Sequence, residues 1–186
     1  MSRSGEPVRE IVHALLVLPD QFAGLPQDAI GQPAARFAEP VPQIFVEPLL
    51  EQVRNDKPLL GICVGMQLMF EYGEEGAGSP GLGILPGRVV RFPESGLKVP
   101  HMGWNQIARR LDAPHLRGIA DDARVYFVHS YYVETPDPSI VASWTGYGQR
   151  FASAVCRDHI WATQFHPEKS QKLGLALIAN FLRWTP

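Results

Sequence analysis

Short apolar runs alternate with polar and glycine-rich segments over most of this chain, in lengths typical of an α/β protein. IVHALLVL (11–18) and PLLGI (58–62) are continuous apolar runs bounded by turn residues, so each predicts a buried strand. EPLLEQVRND (47–56) and MQLMFEYG (66–73) have helical spacing, and the second ends at a glycine. The pattern thus predicts a strand, a helix, a second strand and a second helix.

The second half of the chain is rich in β-branched and aromatic residues and predicts a series of strands. They are RVVRF (88–92), VYFVHSYYV (125–133), SIVASW (139–144), RFASAVC (150–156) and IWATQF (160–165). Because several follow one another closely, part of the sheet should be antiparallel. A last helix should begin at the N-cap residue Ser170 and bury an apolar stripe. The stripe is formed by Leu173, Leu177, Phe181 and Trp184.

These elements predict a single α/β domain over residues 1–186. We expect a three-layer fold, with a mixed and mostly parallel sheet covered by helices on both faces. A glycine-rich loop over 74–87 interrupts the pattern. The stretch from 19 to 48 contains six prolines and no sustained apolar period, so it predicts neither a helix nor a central strand. Residues 1–45 are therefore atypical of such a domain.

Composition narrows the possible functions. The formal net charge is −2 and no block of lysine or arginine occurs, which argues against a nucleic-acid or anionic-membrane partner. The apolar run at 11–18 is too short to span a bilayer and lacks a signal-peptide cleavage pattern. With only two cysteines, a disulfide framework is not expected. We therefore expect a cytoplasmic protein.

The segment GICVG (61–65) places one cysteine between two glycines, after a predicted strand and before a predicted helix. This is the thiol form of a nucleophile elbow, in which a sharp turn presents the nucleophile. Glycines at both flanks permit the tight turn, and the helix N-terminus favours a thiolate. The backbone N–H of Val64 would point toward a developing oxyanion. The alternative for Cys63 is an ordinary core thiol.

A thiol nucleophile needs a base, and TQFHPEKS supplies one after the last predicted strand. Pro167 favours an extended conformation at His166, which would place Glu168 on the same side of the chain. The carboxylate could then orient the imidazole. This tripeptide alone would suggest a loop histidine and a solvated glutamate. Its combination with GICVG favours a triad of Cys63, His166 and Glu168.

These motifs, together with VPHMGWNQI and YFVHSYYV, resemble those of the class I glutamine amidotransferases. PHMGWN, FVHSYY and HPEKS narrow the resemblance to the glutaminase subunits of imidazole glycerol phosphate synthase. The resemblance covers about residues 46–186. It implies that L-glutamine is hydrolysed to glutamate and ammonia without a cofactor. A (β/α)8-barrel cyclase would use the ammonia, as a heterodimer with this chain, to make imidazole glycerol phosphate and AICAR in histidine biosynthesis.

The resemblance also implies roles for individual residues. Cys63 attacks the glutamine amide, His166 acts as base and then acid, and Glu168 orients it. Glutamine would be held by Gly61, Val64, Gln67 and the backbone of Ser130 and Tyr131. The partner and the ammonia passage would face His101, Met102, Gly103, Trp104, Asn105 and Lys169. Without the resemblance, these positions would suggest a buried turn, an alternating strand and a surface charge.

The N-terminal region departs from that family. Members usually open with a strand and the turn Asp-Tyr-Gly-x-Gly-Asn, and no such motif is present, so the first strand–helix unit is expected to be missing. LLVLP (15–19) resembles the strand before a Pro-Gly-Val-Gly loop that supplies a second oxyanion N–H, but Asp20, Gln21 and Phe22 follow here. A catalytically impaired homologue that only binds the partner is therefore an alternative. Another class I amidotransferase is a further alternative.

Other residues with reactive or metal-binding side chains have weaker signals. Cys156 lies in an alternating strand and predicts a core thiol. His13, His115 and His159 have no evident partner in the sequence. No cysteine–histidine cluster has the spacing of metal ligands, so no metal site is predicted.

Overall fold

In the computed structural model, residues 43–110 and 113–184 are described. The predicted strand at 11–18 and the loop after Pro19 lie outside these ranges. The helices of the described part are α1 (Gln43–Arg54), α2 (Val64–Leu68) and α3 (Gln171–Arg183). None of them is long and apolar enough to cross a bilayer.

The described strands are numbered in chain order. The first six are β1 (Leu59–Ile62), β2 (Tyr72–Gly73), β3 (Ser79–Pro80), β4 (Arg88–Arg91), β5 (His101–Gln106) and β6 (Ala108–Arg109). The remaining five are β7 (Arg124–His129), β8 (Tyr131–Glu134), β9 (Val141–Tyr147), β10 (Gln149–Arg157) and β11 (Ile160–Thr163). The predicted strands from residue 58 onward are thus confirmed, except that the predicted strand 125–133 is two strands that separate at Ser130.

The main sheet has the strand order β1-β11-β10-β8-β4-β2-β3, with β9 also paired to β10 and β6 paired to β9; β5 and β7 form a separate ribbon. The mixed α/β fold is confirmed. The described part of the sheet is nevertheless mainly antiparallel, because only β1–β11 and β2–β4 pair in parallel. Tight turns join β9 to β10 and β10 to β11, and such turns permit only antiparallel neighbours.

The parallel pair β1–β11 is the part of the sheet that matters most for the site. Leu59 to Ile62 lie beside Ile160 to Thr163 in continuous register, and all eight residues are buried. The backbone N–H of Cys63 extends the ladder by donating to the carbonyl of Thr163 at 2.7 Å. Because parallel strands end at the same edge, the segments that follow β1 and β11 emerge together.

Helix α2 is shorter than the sequence predicts. Expected to reach Gly73, it ends at Leu68, and Tyr72 and Gly73 instead pair with β3 and β4. The loop 81–85 accounts for this, because its N–H groups donate to the carbonyls of residues 68–71. Only glycine fits at position 81, where a Cβ would overlap the carbonyl of Phe70.

The apolar stripe of α3 is confirmed. Leu177 and Phe181 are buried, and Leu173 and Trp184 pack against the same core cluster. Ser170 precedes the helix as predicted, but it makes no side-chain capping bond to the helix. Its hydroxyl bonds elsewhere, in the turn that carries His166.

His115 lies in this core as an unpaired polar group. Its ring stacks on Trp161 at 4.4 Å between centroids and meets the edge of Trp184 at 4.1 Å. Both ring nitrogens are buried and have no hydrogen-bond partner among the described residues. Burial lowers the pKa of His115 to about 4, so the neutral ring is the form that packs here.

This environment predicts a specific dependence of stability on pH. Because the pKa of His115 is about 4 in the folded chain and 6.5 as its ordinary value, the unfolded chain takes up the proton first. The stability contributed by neutral His115 is complete above pH 6.5 and is lost as the pH falls toward 4. The variant His115→Phe keeps the stacking but has no group that titrates at this position. Between pH 6.5 and pH 4, its free energy of unfolding, measured by urea titration, should therefore fall less than that of the wild type. Some loss remains, because burial also lowers the pKa of His101 and His129. Equal losses in both proteins would contradict this account.

Candidate active site

Cys63 occupies a sharp turn between β1 and α2. Its backbone angles are φ 53° and ψ −106°, which a residue with a side chain rarely adopts. Gly61 lets α2 approach the strand closely, since a Cβ there would lie 2.9 Å from the backbone of Gly65. The strand–elbow–helix arrangement predicted from GICVG is confirmed. Val64 is the first residue of α2, where its N–H has no acceptor within the helix.

His166 and Glu168 form a direct pair. Nδ1 of the imidazole lies 2.6 Å from Oε1 of the carboxylate. The predicted pairing is confirmed, but the backbone conformation that produces it differs from the extended segment expected. His166 is extended, at φ −100° and ψ 97°, and Pro167–Lys169 then form a 3-10 turn that brings the carboxylate back to the ring.

The turn that carries His166 is anchored on β7 and α3. The N–H of His166 donates to the carbonyl of Tyr126 at 2.9 Å, and the hydroxyl of Ser170 accepts from the N–H of Tyr126 at 3.0 Å. That hydroxyl also donates to the carbonyl of His166 at 2.7 Å. Gly174 of α3 lies against the carbonyl of Pro167, where a Cβ would overlap it. In the sequence, Ser170 was recognisable only as a helix cap and Gly174 carried no signal.

The electrostatics of the pair favour a charged imidazole. Burial is the largest single influence on His166 and opposes its charge, but hydrogen bonds and charges from Cys63 and Glu168 outweigh it. They raise the pKa of His166 to about 9. Burial likewise opposes the charge on Glu168, yet the hydrogen bond and charge of His166 lower the pKa of the carboxyl. Nε2 of His166 is buried and makes no hydrogen bond of standard geometry within the described residues. The Cys63 thiol therefore lies close to His166 without forming a well-aligned hydrogen bond to it. Hydrogen bonds in such sites are often long until a ligand binds.

Two further groups contact the Cys63 sulfur. Sγ lies 3.9 Å from the carbonyl oxygen of Val128, to which the thiol can donate, and 3.7 Å from Nε2 of Gln164. Gln164 is fully buried and directly follows β11. Neither contact was predicted from the sequence. The position of Gln164 two residues before His166 was the available signal.

Gln67, expected to hold glutamine, is buried and already hydrogen-bonded within the chain. Its Nε2 donates to the carbonyl of Tyr131 and to Oε1 of Gln164, both at 2.9 Å. The Tyr131 carbonyl also lies 2.7 Å from Nδ1 of His129, so both of its lone pairs are engaged. The carbonyl of Ser130 accepts from Phe92. Any backbone contact of residues 130–131 with glutamine is therefore expected to come from N–H groups.

The expectation that the side chain of His101 faces the partner is wrong. The side chain of His101 is buried, stacked on Tyr147 at 4.0 Å and hydrogen-bonded to Nε2 of His129 at 2.9 Å. The physical reason is the period of two in β5, which sends alternate side chains to opposite faces. Asn105 lies on the same inward side and donates to Nε2 of His101 at 3.1 Å and to the carbonyl of Gly146 at 3.0 Å.

The outward side of β5 carries the apolar residues of the expected face. Met102 is 59% exposed and Trp104 is 44% exposed. The Trp104 ring meets the ring of Tyr126 edge-on at 6.1 Å. Gly103 is half-buried between them, and Lys169 is exposed. We call Met102, Trp104 and Tyr126 the ribbon strip.

Cys156 and His159 lie outside the candidate site, in environments that differ from those of the site residues. Cys156, predicted as a core thiol, is half-buried and packs against the margin of the core. Burial, and secondarily the charge of Asp158, raise its pKa to about 11. His159 does have a contact, since its Nδ1 lies 3.4 Å from the carboxylate of Asp56. His13 lies outside the described residues. Within the described ranges, no three histidine, cysteine or acidic side chains are grouped as metal ligands.

Comparison with known proteins assigns the family. The family model described as glutamine amidotransferase class-I matches residues 40–184. The chain belongs to this family. It is also 55% identical over 138 residues to the imidazole glycerol phosphate synthase subunit HisH of Aromatoleum aromaticum, covering 70% of this chain and 65% of that protein. The subunit of the same name from Syntrophotalea carbinolica is 54% identical over 143 residues, covering 74% and 69%. This member of the family thus spans about two thirds of the length of these relatives.

Solved structures agree on the fold of the family. Two of them come from Thermotoga maritima: PurLQS, with a TM-score of 0.57, and a glutamine amidotransferase, with a TM-score of 0.52. PurLQS is 16% identical, and the match covers 74% of this chain and 66% of the other. The glutamine amidotransferase is 18% identical, and the match covers 75% and 53%. At such identities the likeness supports the class I amidotransferase fold alone.

The Glu168 carboxylate is expected to sustain the high pKa of His166. In Glu168→Gln the charge is removed while the side-chain shape is kept, so the pKa of His166 should fall from about 9 toward its ordinary value. A pH titration of the ring protons by NMR measures it directly. Glu47→Gln, which removes an exposed carboxylate paired with Arg54, is the matched control and should leave the titration unchanged. A His166 titration that does not respond to Glu168→Gln would exclude this pairing as the cause.

Proposed function

We propose that this chain is a glutaminase that releases ammonia from L-glutamine and acts as a subunit of imidazole glycerol phosphate synthase. The observation that carries the proposal is the geometry around Cys63. A cysteine on a strained elbow interacts with an imidazole whose other nitrogen is held by a carboxylate at 2.6 Å, in a chain of the class I amidotransferase family. This geometry supports the assignment of Cys63 as nucleophile, His166 as base and Glu168 as orienting group.

In the first half of the proposed reaction, Sγ of Cys63 forms a bond to the side-chain carbonyl carbon of glutamine. The thiol proton passes to Nε2 of His166, and the imidazolium formed is stabilised by Glu168 through Nδ1. The carbonyl oxygen becomes an oxyanion, for which the N–H of Val64 is the proposed donor. When the tetrahedral intermediate collapses, His166 returns the proton to the nitrogen and the C–N bond breaks, so that ammonia leaves and a thioester remains on Cys63.

In the second half, water attacks the thioester and His166 removes its proton. Collapse of the second intermediate breaks the bond to sulfur, which releases glutamate and restores the thiol. The high pKa of His166 favours the imidazolium, which stabilises negative charge on sulfur during attack. Gly61, Gln67, Ser130 and Tyr131 remain the proposed surroundings of the bound glutamine.

The proposed partner is the (β/α)8-barrel cyclase, which would use the ammonia to form imidazole glycerol phosphate and AICAR. The similarity to subunits named HisH over about 140 residues supports this choice. The ribbon strip, with Gly103 and Lys169 beside it, is the proposed contact surface of this heterodimer. Histidine biosynthesis of this kind would place the chain in the cytoplasm.

A competing proposal is a homologue that binds the partner but turns over little glutamine. It is favoured by one observation, the sequence Asp-Gln-Phe at 20–22 where the family has a glycine loop. Loss of one oxyanion donor costs about 10²–10³-fold in rate. Full glutamine-dependent synthesis by the unmodified chain with its partner would exclude this alternative.

Cys63→Ala is expected to abolish glutaminase activity, because no other group near His166 can form the thioester. The loss should be at least about 10³-fold in kcat, measured as glutamate release with the cyclase present. Cys156→Ala is the matched control, since it removes the only other thiol, and should retain activity. Glutamine turnover that survives Cys63→Ala would refute the proposed nucleophile.

Trp104→Ala is expected to weaken binding of the cyclase by about 30-fold, since exposed aromatic residues at the centre of interfaces often contribute about 2 kcal/mol. Calorimetric titration of one subunit with the other measures it. Leu182→Ala tests a comparably exposed apolar side chain on α3 and should have little effect. Equal affinities for the wild type and Trp104→Ala would place the interface elsewhere.

A further inference from the structure

Gln164 is a buried amide that contacts the Cys63 sulfur but has no role in the reaction outlined above. It has no accessible surface, and its backbone N–H donates to the carbonyl of Ser153 at 2.9 Å. Its side chain reaches back to the elbow, where Nε2 lies 3.7 Å from Sγ of Cys63. Burying a carboxamide is unfavourable unless its groups are paired, so its orientation is informative.

The orientation of this amide follows from one backbone carbonyl. The oxygen of Tyr131 can only accept hydrogen bonds, so the group of Gln67 that faces it at 2.9 Å must be the NH₂ group. The same NH₂ group lies 2.9 Å from the Gln164 side chain, which must therefore present its oxygen there. The NH₂ group of Gln164 is then directed at the sulfur. The reverse orientation would place two NH₂ groups against each other.

A second donor supports this arrangement. His129 also faces the Tyr131 carbonyl, through Nδ1 at 2.7 Å, so Nδ1 carries the proton and Nε2 accepts from His101. Both lone pairs of the Tyr131 carbonyl are thereby occupied, and both N–H bonds of the Gln67 amide are used within the chain. Gln67 thus has no N–H left for a substrate, and its amide serves to hold Gln164.

We propose that Gln164 is a positioning residue for the nucleophile: its NH₂ group, held by Gln67, holds the Cys63 sulfur in place and stabilises it as a thiolate. The inference rests on the proposed glutaminase reaction for its purpose, but the interaction itself exists without substrate. A neutral N–H donor can serve both states, because sulfur accepts weakly as a thiol and strongly as a thiolate. The Val128 carbonyl on the same sulfur can accept only from the thiol.

The test follows the reactivity of the thiol rather than glutamine turnover. In a Cys156→Ala background Cys63 is the only thiol, so its alkylation by iodoacetamide can be measured against pH. Gln164→Met keeps the length of the side chain and removes the donor. We expect the midpoint of the profile to rise by about one pH unit, the shift that corresponds to losing one hydrogen bond to a charged group. With the cyclase present, kcat should fall about tenfold with little change in KM, because Gln164 contacts the sulfur and not the substrate.

Two variants separate this role from a merely structural one. Ser143→Ala removes a buried hydrogen bond to Ser153 of 2.9 Å, which does not touch the thiol, and should lower the melting temperature without shifting the profile. Gln164→Glu keeps an oxygen that accepts from Gln67 but puts a carboxylate oxygen in place of the NH₂ donor. It should raise the midpoint of the profile at least as far as Gln164→Met does. If the variants do not fold, the side-chain NH₂ resonances of Gln164 in the wild type should titrate together with Cys63. An unshifted profile in a folded Gln164 variant, an equal shift in Ser143→Ala, or NH₂ resonances that do not titrate would overturn the proposal, whatever the glutaminase assay gives.

Discussion

The candidate site depends on the parallel pairing of β1 with β11. This contact brings together two segments that are remote in sequence, so that Cys63 follows one strand while Gln164 and His166 follow the other. The bond from the Cys63 N–H to the Thr163 carbonyl is the last rung of that ladder and fixes the distance between the two strand ends. A slip of one residue would turn every side chain of a strand to the opposite face. Because both faces of these strands are buried, such a slip would force every one of these side chains to repack in a close-packed core.

The ribbon of β5 and β7 connects the same site with the proposed partner surface. Tyr126 contributes its ring to the ribbon strip and uses its backbone to hold the turn that carries His166. On the inner face, Asn105, His101 and His129 form a chain of hydrogen bonds that ends at the Tyr131 carbonyl, next to Gln67. The ribbon is thus bonded both to the turn that carries His166 and to the Tyr131 carbonyl that holds Gln67.

The sequence predicted those features that local patterns determine. GICVG and HPEKS each carry a turn signal and a reactive side chain, so the elbow and the His166–Glu168 pair could be derived from residue types and spacing. The length of α2 could not, because it depends on a loop more than ten residues later that binds the carbonyls at its end. The inward direction of His101 follows from strand period, but only once the register of β5 is known. The amide network of Gln67 and Gln164 needs three distant backbone segments and has no sequence signature.

The backbone at Cys63 also has a consequence for the evolution of this position. Its φ of 53° is strained for any residue with a Cβ, and glycine would relieve that strain. Glycine, the residue that adopts this conformation most readily, has no thiol and cannot form a thioester. A cysteine at this position is therefore held against a conformational preference, and the β1–β11 ladder and the close contact of Gly61 with Gly65 supply stability that offsets the strain. Drift toward glycine at this single position would relieve the strain and remove the proposed nucleophile.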